Sequence, residues 1–340
     1  MMRIILLLIL LTFFPFCYAQ ENLLRIMFYN VENLFDTEKD SVKQDEEFLP
    51  QSIRAWHYGR YKKKLTNISR VITAVGEWSP PSIVGLCEVE NDRVLQDLTK
   101  YSPLKEHGYR YVMTDSPDAR GIDVALLYQR DQFKLLGYQS IKIDLVDRAT
   151  RDLLHVTGIV QTLDTLDIIV AHFPSRSQGQ KASEPYRIKA AKTMRKTVDS
   201  LFIIRRAPRI IIMGDLNDYP KNKSISQILN ARIPQKESCE NNQLYHLLAD
   251  KSKSSNYGSH KYQGEWGLLD HIIVSGLLLD TSGALYTNRE HSHIATLPFL
   301  LTPDEKYGGQ RPFRTYHGMK YEGGYSDHLP VYVDLLLKYY

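Results

Sequence analysis

The chain has 340 residues, with 43 Lys and Arg against 39 Asp and Glu, a formal net charge of +4. That near balance, with no stretch basic enough to demand a polyanion, excludes reading a substrate from net charge. Three cysteines are too few for a disulfide scaffold, so a core must hold the fold, and 43% hydrophobic residues permit one.

Arg3 precedes an apolar run from Ile4 to Leu11, then Phe13-Phe14-Pro15-Phe16 and Cys17-Tyr18-Ala19. A short positive start, an apolar core and a small residue before Gln20 read as a signal peptide over residues 1–19. The run is too short for a comfortable membrane span. A secreted or periplasmic location is therefore expected, with no membrane span once the signal is removed. Cleavage removes Arg3 alone and takes the charge from +4 to +3. Of the cysteines left, Cys87 lies in an apolar run and reads as a packed free thiol.

Residues 24–31 form the first expected strand. The apolar spacing of Leu65, Ile68, Val71, Ile72 and Val75 predicts a helix from Tyr61 onward, with Lys62 to Lys64 on its opposite face. Pro80-Pro81 stops it, residues 83–89 form a strand, and 92–101 a short helix with Asp92 as its cap. Strands are expected at 109–114 and 123–128, then an antiparallel pair at 133–145 and 154–162, then a buried strand at 166–173. A long helix over 185–204 turns Ile188, Ala191, Val198 and Leu201 inward, and Arg187, Lys189, Lys192 and Lys196 outward. After the strand that opens at Arg209, short helices are expected near 224–229 and 242–250. The connection from Leu277 to Tyr325 is long enough to read as functional or mobile. Residues 330–337 form the last strand. No repeat or linker divides the chain, so residues 20–340 read as one domain of mixed α/β type.

The chemistry is concentrated where apolar runs stop. Arg209-Ile-Ile-Ile-Met-Gly-Asp215 breaks at Gly214 and then presents Asp215, Asn217 and Asp218. The same shape recurs at Asn30, at Glu88, at His172, at Leu268-Leu-Asp270-His271 and at Tyr325-Ser-Asp327-His328. A buried carboxylate must be partnered, so these strand ends are expected to converge on one site. Mg²⁺ takes carboxylates and keeps waters and substrate phosphates, and Glu88, Asn30 and Asp327 are suitable donors. Asp215 can orient and deprotonate water, and Asn217 can donate to a phosphate oxygen. His328 and His172 can stabilise developing charge, with Asp270 orienting His328. Arg120 and Arg176 have the forked geometry for phosphate contact. His271, next along the strand from Asp270, points the other way and reads as structural. The basic, aromatic stretch Arg311 to Tyr316, with Tyr325, could stack bases beside the site or pin the long loop.

Asn30-Val31, the Glu88 strand, Gly214-Asp215-Leu216-Asn217, Leu269-Asp270-His271 and Ser326-Asp327-His328 occur in the order of the endonuclease/exonuclease/phosphatase superfamily, which the chain resembles from about Leu24 to Leu337. The resemblance implies a four-layer α/β sandwich, two mixed β-sheets face to face with helices outside, as in deoxyribonuclease I. It implies Glu88 as the principal metal carboxylate, with Asn30 beside it and Glu32 where some members carry a second acidic residue. It further implies Asp215 and Asn217 positioning nucleophile and phosphate, an Asp270–His328 pair preceded by acidic Asp327, and His172 as in the deoxyribonuclease branch. The opening Asn30 to Asp36, the His172 to Arg176 stretch and the 277–325 insertion look like secreted bacterial nuclease-like members.

A secreted Mg²⁺-dependent endonuclease is the function this implies, with Mn²⁺ or Ca²⁺ as other cations, nucleic acid as substrate, and a monomer without a stable protein partner. The alternatives are a phosphatase or phosphodiesterase acting on lipid headgroups, inositol phosphates or nucleotides, and a non-catalytic binding module on the same fold.

Overall fold

The central strands are buried on both faces, and their side chains alternate between two packing clusters, through one of which the two sheets stack. A computed structural model describes residues 23–177, 179–235, 239–251 and 257–338. The signal peptide expected at 1–19 lies outside these residues. In chain order, the first part runs β1 (Leu23–Leu34), α1 (Tyr58–Gly76), β2 (Ile83–Val89), α2 (Asp92–Lys100), β3 (Arg110–Met113), β4 (Asp123–Tyr128), β5 (Phe133–Ile141), β6 (Leu153–Val160) and β7 (Thr165–His172). Then come α3 (Gln180–Ile204), β8 (Ile210–Asp215), β9 (Leu244–His246), β10 (His260–Tyr262), β11 (Glu265–Gly267) and β12 (Asp270–Ser275). The last part adds β13 (Leu285–Tyr286), β14 (Ser292–Ile294), β15 (Leu301–Pro303), β16 (Gln310–Pro312), β17 (Tyr316–His317), β18 (Lys320–Tyr321) and β19 (Val331–Leu337).

One sheet has the order β13-β19-β1-β2-β4-β3, with β14 also on β19; the other is β5-β6-β7-β8-β12-β9. Each is mixed: β1–β2 and β7–β8 are parallel, and their neighbours are antiparallel. Side chains at Ile168, Val170, Ile211, Met213, Ile272 and Val274 join the large cluster shared with the first sheet, α1 and α2. Their alternates Ile169, Ala171, Ile210, Ile212 and Ile273 pack instead with Ala190, Ala191, Met194 and Val198 of α3. Helices, sheet, sheet, helix: this is the expected four-layer sandwich.

The period of two decides where the polar ends point. His172, Asp215 and Asp270 continue the inward series, whereas His271 continues the outward one. Register then aligns them, since His172 pairs with Asp215 across β7–β8 and Asp270 pairs with Asp215 across β12–β8. Gly214 makes that alignment possible. A Cβ there would sit 2.2 Å from the carbonyl oxygen of Ala171.

Several local expectations are corrected. Asn91, not Asp92, caps α2 by accepting from the Val94 amide at 3.1 Å. Residues 242–250 are not helical, because Leu244–His246 adds to β12 as an edge strand. Ser224–Ile228 is a single wide turn of π-helix. Two cations expected outward are buried. Lys64 donates to Thr315 Oγ1 at 2.6 Å and to the Tyr325 carbonyl at 2.7 Å. Arg187 lies 2.8 Å from the Asp218 carboxylate and locks α3 to the loop after β8. The 277–325 connection is built of short strands, β13 to β18, with single 3₁₀ turns between them.

Gly214→Ala is therefore expected to destabilise the fold by about 2–3 kcal/mol through overpacking against backbone. A urea midpoint unchanged from wild type would contradict the register argument.

Candidate active site

The strand ends meet at one edge of the sandwich. Asn30, within β1, places its amide nitrogen 3.1 Å from Asp215 Oδ2 and 3.4 Å from Glu88 Oε1. Its carbonyl accepts from Ser326 Oγ at 2.7 Å, which ties β1 to the segment before β19. Glu88 sits where β2 bulges against β4, with φ +63°, and its Oε2 accepts from the Asn33 amide at 3.0 Å. Asn217, at φ +51°, donates its backbone N–H to Asp215 Oδ1 at 3.0 Å and its side-chain amide to the Phe173 carbonyl at 3.1 Å. Non-glycine residues in the left-handed region cost on the order of 1–3 kcal/mol each and persist where surrounding contacts dictate them.

Two histidines flank the carboxylates. His172 Nε2 is 3.7 Å from Asp215 Oδ2 and 3.9 Å from Glu88 Oε1. His328 Nε2 is 3.8 Å from Asp215 Oδ2, and its Nδ1 meets Asp270 Oδ2 at 2.7 Å. Burial opposes protonating His328, but the carboxylates of Asp270 and Asp215 outweigh it and raise its pKa well above the ordinary value. Burial, with Arg151, Arg120 and His328 nearby, drives the pKa of His172 well below, so this ring is neutral. Burial also pushes Asp215 up to about 7, assisted by Asp270 and Glu88 and opposed by His328.

The remaining candidates divide. Asp327 pairs with Arg314 at 2.8 Å; burial works against its charge, and Arg314 with His328 outweighs it and holds its pKa below the usual range. His260 joins it, its ring centroid 4.8 Å from that of His328. Glu32, expected as a metal ligand, acts here as a clamp between elements. Its two oxygens accept from Arg314 Nε at 3.2 Å and from the Thr315 amide at 2.6 Å, with Lys64 at 3.9 Å. Arg176 donates to the Asn217 carbonyl, Asp218 and Asn222, and so holds the loop that follows β8. Arg120 is half exposed at the rim, bonded to Asn33 Oδ1 at 2.7 Å and 3.9 Å from Glu88. Lys64 and His260 are the site-bordering residues that sequence reasoning missed, whereas Arg314 belongs to the basic stretch Arg311 to Tyr316 expected beside the site.

The donor set suits a hard divalent cation. Glu88 and Asp215 bring carboxylate oxygens to the two sides of the Asn30 side-chain N–H₂, and among the described residues Arg120 is the one guanidinium or ammonium paired with Glu88, at 3.9 Å. Asp270 Oδ1 is buried without a hydrogen-bond partner. Carboxylates gathered so closely, one of them pushed to neutral pH, are what a divalent charge would relieve. Among the described residues, Asp215, Asp270 and His328 form one group able to hold a metal, and His260, Asp327 and His328 another.

Fold and site together define a deoxyribonuclease I-like phosphoesterase class. The chain belongs to the Endonuclease/Exonuclease/phosphatase family, whose sequence model matches residues 25–337. Among curated proteins, none matches the chain. It is similar in structure to a Bacteroides thetaiotaomicron endonuclease/exonuclease/phosphatase family protein, at 14% identity, TM-score 0.57, covering 93% of this chain and 95% of that one. It is similar also to a B. thetaiotaomicron mannosyl-6-phosphatase, at 16% identity, TM-score 0.56, covering 92% and 99%. A third is D. rerio TDP2 complexed with single strand DNA product, at 15% identity, TM-score 0.54, covering 92% and 99%.

The raised pKa of Asp215 has a thermodynamic consequence. Unfolded, the carboxyl loses its proton near pH 4; folded, it keeps it to about 7, so stability falls as pH rises through that window. Melting of the metal-free protein should accordingly shift down between pH 5 and 8. Added Mg²⁺ should raise the Tm more at pH 8 than at pH 5. An equal gain at both would show that the cation binds elsewhere.

Proposed function

We propose that this chain is a metal-dependent phosphodiesterase that cleaves nucleic acid, with Mg²⁺ as its cation and Mn²⁺ or Ca²⁺ as substitutes. The observation that carries the reading is that Asp215 Oδ2 lies within 4 Å of Asn30, His172 and His328 at once. One carboxylate oxygen is thus surrounded by an amide nitrogen and two imidazole nitrogens. Glu88 and Asn30 would hold the cation, which when bound draws charge from a phosphate oxygen. Asp215 aligns water and takes its proton, a task suited to a carboxyl near neutrality. His328, kept cationic by Asp270, donates Nε2–H to the charge that builds on phosphorus, and neutral His172 donates beside it. The second hydrogen of the Asn217 amide reaches a phosphate oxygen while the first stays on Phe173.

A nucleic-acid substrate is supported by TDP2, whose solved complex holds single strand DNA product. The similar mannosyl-6-phosphatase makes phosphomonoesters the competing class. Hydrolysis of plasmid DNA, RNA, bis(p-nitrophenyl) phosphate, sugar and inositol phosphates and sphingomyelin, with and without EDTA, decides between them. The expected outcome is EDTA-sensitive turnover of nucleic acid above the monoesters and lipid. Glu88→Gln and His328→Ala should each lower kcat by on the order of a thousandfold with the fold retained. Activity above trace in either variant overturns the assignment.

We propose further that residues 1–19 are a secretory leader, supported by the Arg3 start, the apolar run and Ala19. Exported protein should begin at Gln20 on N-terminal sequencing; an uncut chain held on the membrane refutes this.

A further inference from the structure

Beside the catalytic cluster lies a cleft of about 350 Å³ between the β10–β11 and β15–β16 hairpins, and neither hairpin belongs to the two main sheets. Its floor carries Arg314 and Asp327, the residue before His328. Its walls carry Tyr262 and Tyr307, exposed by 65% and 47%, with the Lys306 ammonium 4.9 Å from the Tyr307 ring centroid. The cleft is tied directly to the cluster. His260, the first residue of β10, forms a β-bridge with His328 and packs its ring on that histidine. Tyr262 lies two residues on, so its side chain shares the face of His260 and stands roughly 7 Å further out. The opposite wall is fixed in place too. Gly264, in the β10–β11 turn at φ +91°, packs so closely on Tyr307 that a Cβ would fall 3.1 Å from the Tyr307 Cβ. Lys261 Nζ crosses to Asp304 at 2.8 Å and to the Gly308 carbonyl at 2.8 Å, joining the two hairpins.

Exposed tyrosines on a braced support, next to an exposed ammonium, offer ring surface and a positive charge side by side. We propose that this cleft seats the nucleotide flanking the scissile phosphate of single-stranded nucleic acid, its base stacked on Tyr262 and Tyr307 and its phosphate beside Lys306. An unpaired base presents its π-face, whereas a base inside a duplex is already stacked on both sides. The inference rests on the nucleic-acid reading above and adds the strandedness and the residues that sense it.

Fluorescence anisotropy in EDTA, so that no strand is cut, compares a labelled oligothymidylate with an abasic strand of equal length and charge. Wild type should bind the base-bearing strand on the order of tenfold more tightly, and more tightly than the same sequence as duplex. Tyr262→Ala and Tyr307→Ala should each shrink the ratio of base-bearing to abasic affinity towards one. Tyr307→Phe, which keeps the ring, should retain it. Equal affinity for the two strands in wild type, or an unchanged ratio in both alanine variants, overturns the proposal. Loss of the proposed function reads differently: wild type would then fail to hydrolyse bis(p-nitrophenyl) phosphate with Mg²⁺, whatever the ratio.

Discussion

Everything at the site follows from the crowding of carboxylates at the dry end of a sandwich. Asp215 and Asp270 are forced side by side by the β8–β12 register, and Glu88 reaches them from the other sheet through Asn30. Like charges at that distance cannot all ionise without a positive neighbour. His328 supplies one, and a divalent cation would supply the rest. The histidine's positive charge and the aspartate's affinity for a proton are therefore two readings of a single imbalance. Backbone geometry sustains it, since the bulge at Glu88 and the left-handed turn at Asn217 fix donors and acceptors that flexible side chains would let drift.

The central strands and their polar ends were legible because two simple signals agree. A β-branched run bounded by glycine gives the strand, and its period of two gives the face. Thus Asp215 inward and His271 outward follow from counting along Ile210 to Asp215 and Asp270 to Ser275. The edge strand at Leu244 to His246 was not legible, since three residues carry too little periodicity to oppose a helical reading.

Buried charges were the other blind spot, and for a physical reason. Lys64 and Arg187 stand on helices where nothing local forbids solvent. Their partners, Thr315 and Tyr325 in one case and Asp218 in the other, come from distant parts of the chain. Glu32 shows the same problem from the acidic side. Residue type and position beside Asn30 suit a cation, but Arg314 arrives from 282 residues away to claim it. Conversely, Asn33 offers no chemical cue in the sequence, yet its backbone N–H holds Glu88.

The buried Arg187–Asp218 contact has a mechanical corollary. Asp218 follows Asn217 directly and also accepts from Ser224 Oγ at 2.6 Å, so α3, the β8 loop and the turn beyond it share one anchor. A displacement of α3 along its axis cannot be absorbed by a soft surface loop. It is transmitted to Asn217 as a rigid linkage transmits a push. Packing changes on the outer helix thus bear on the geometry of the residues gathered at the far edge of the sheet.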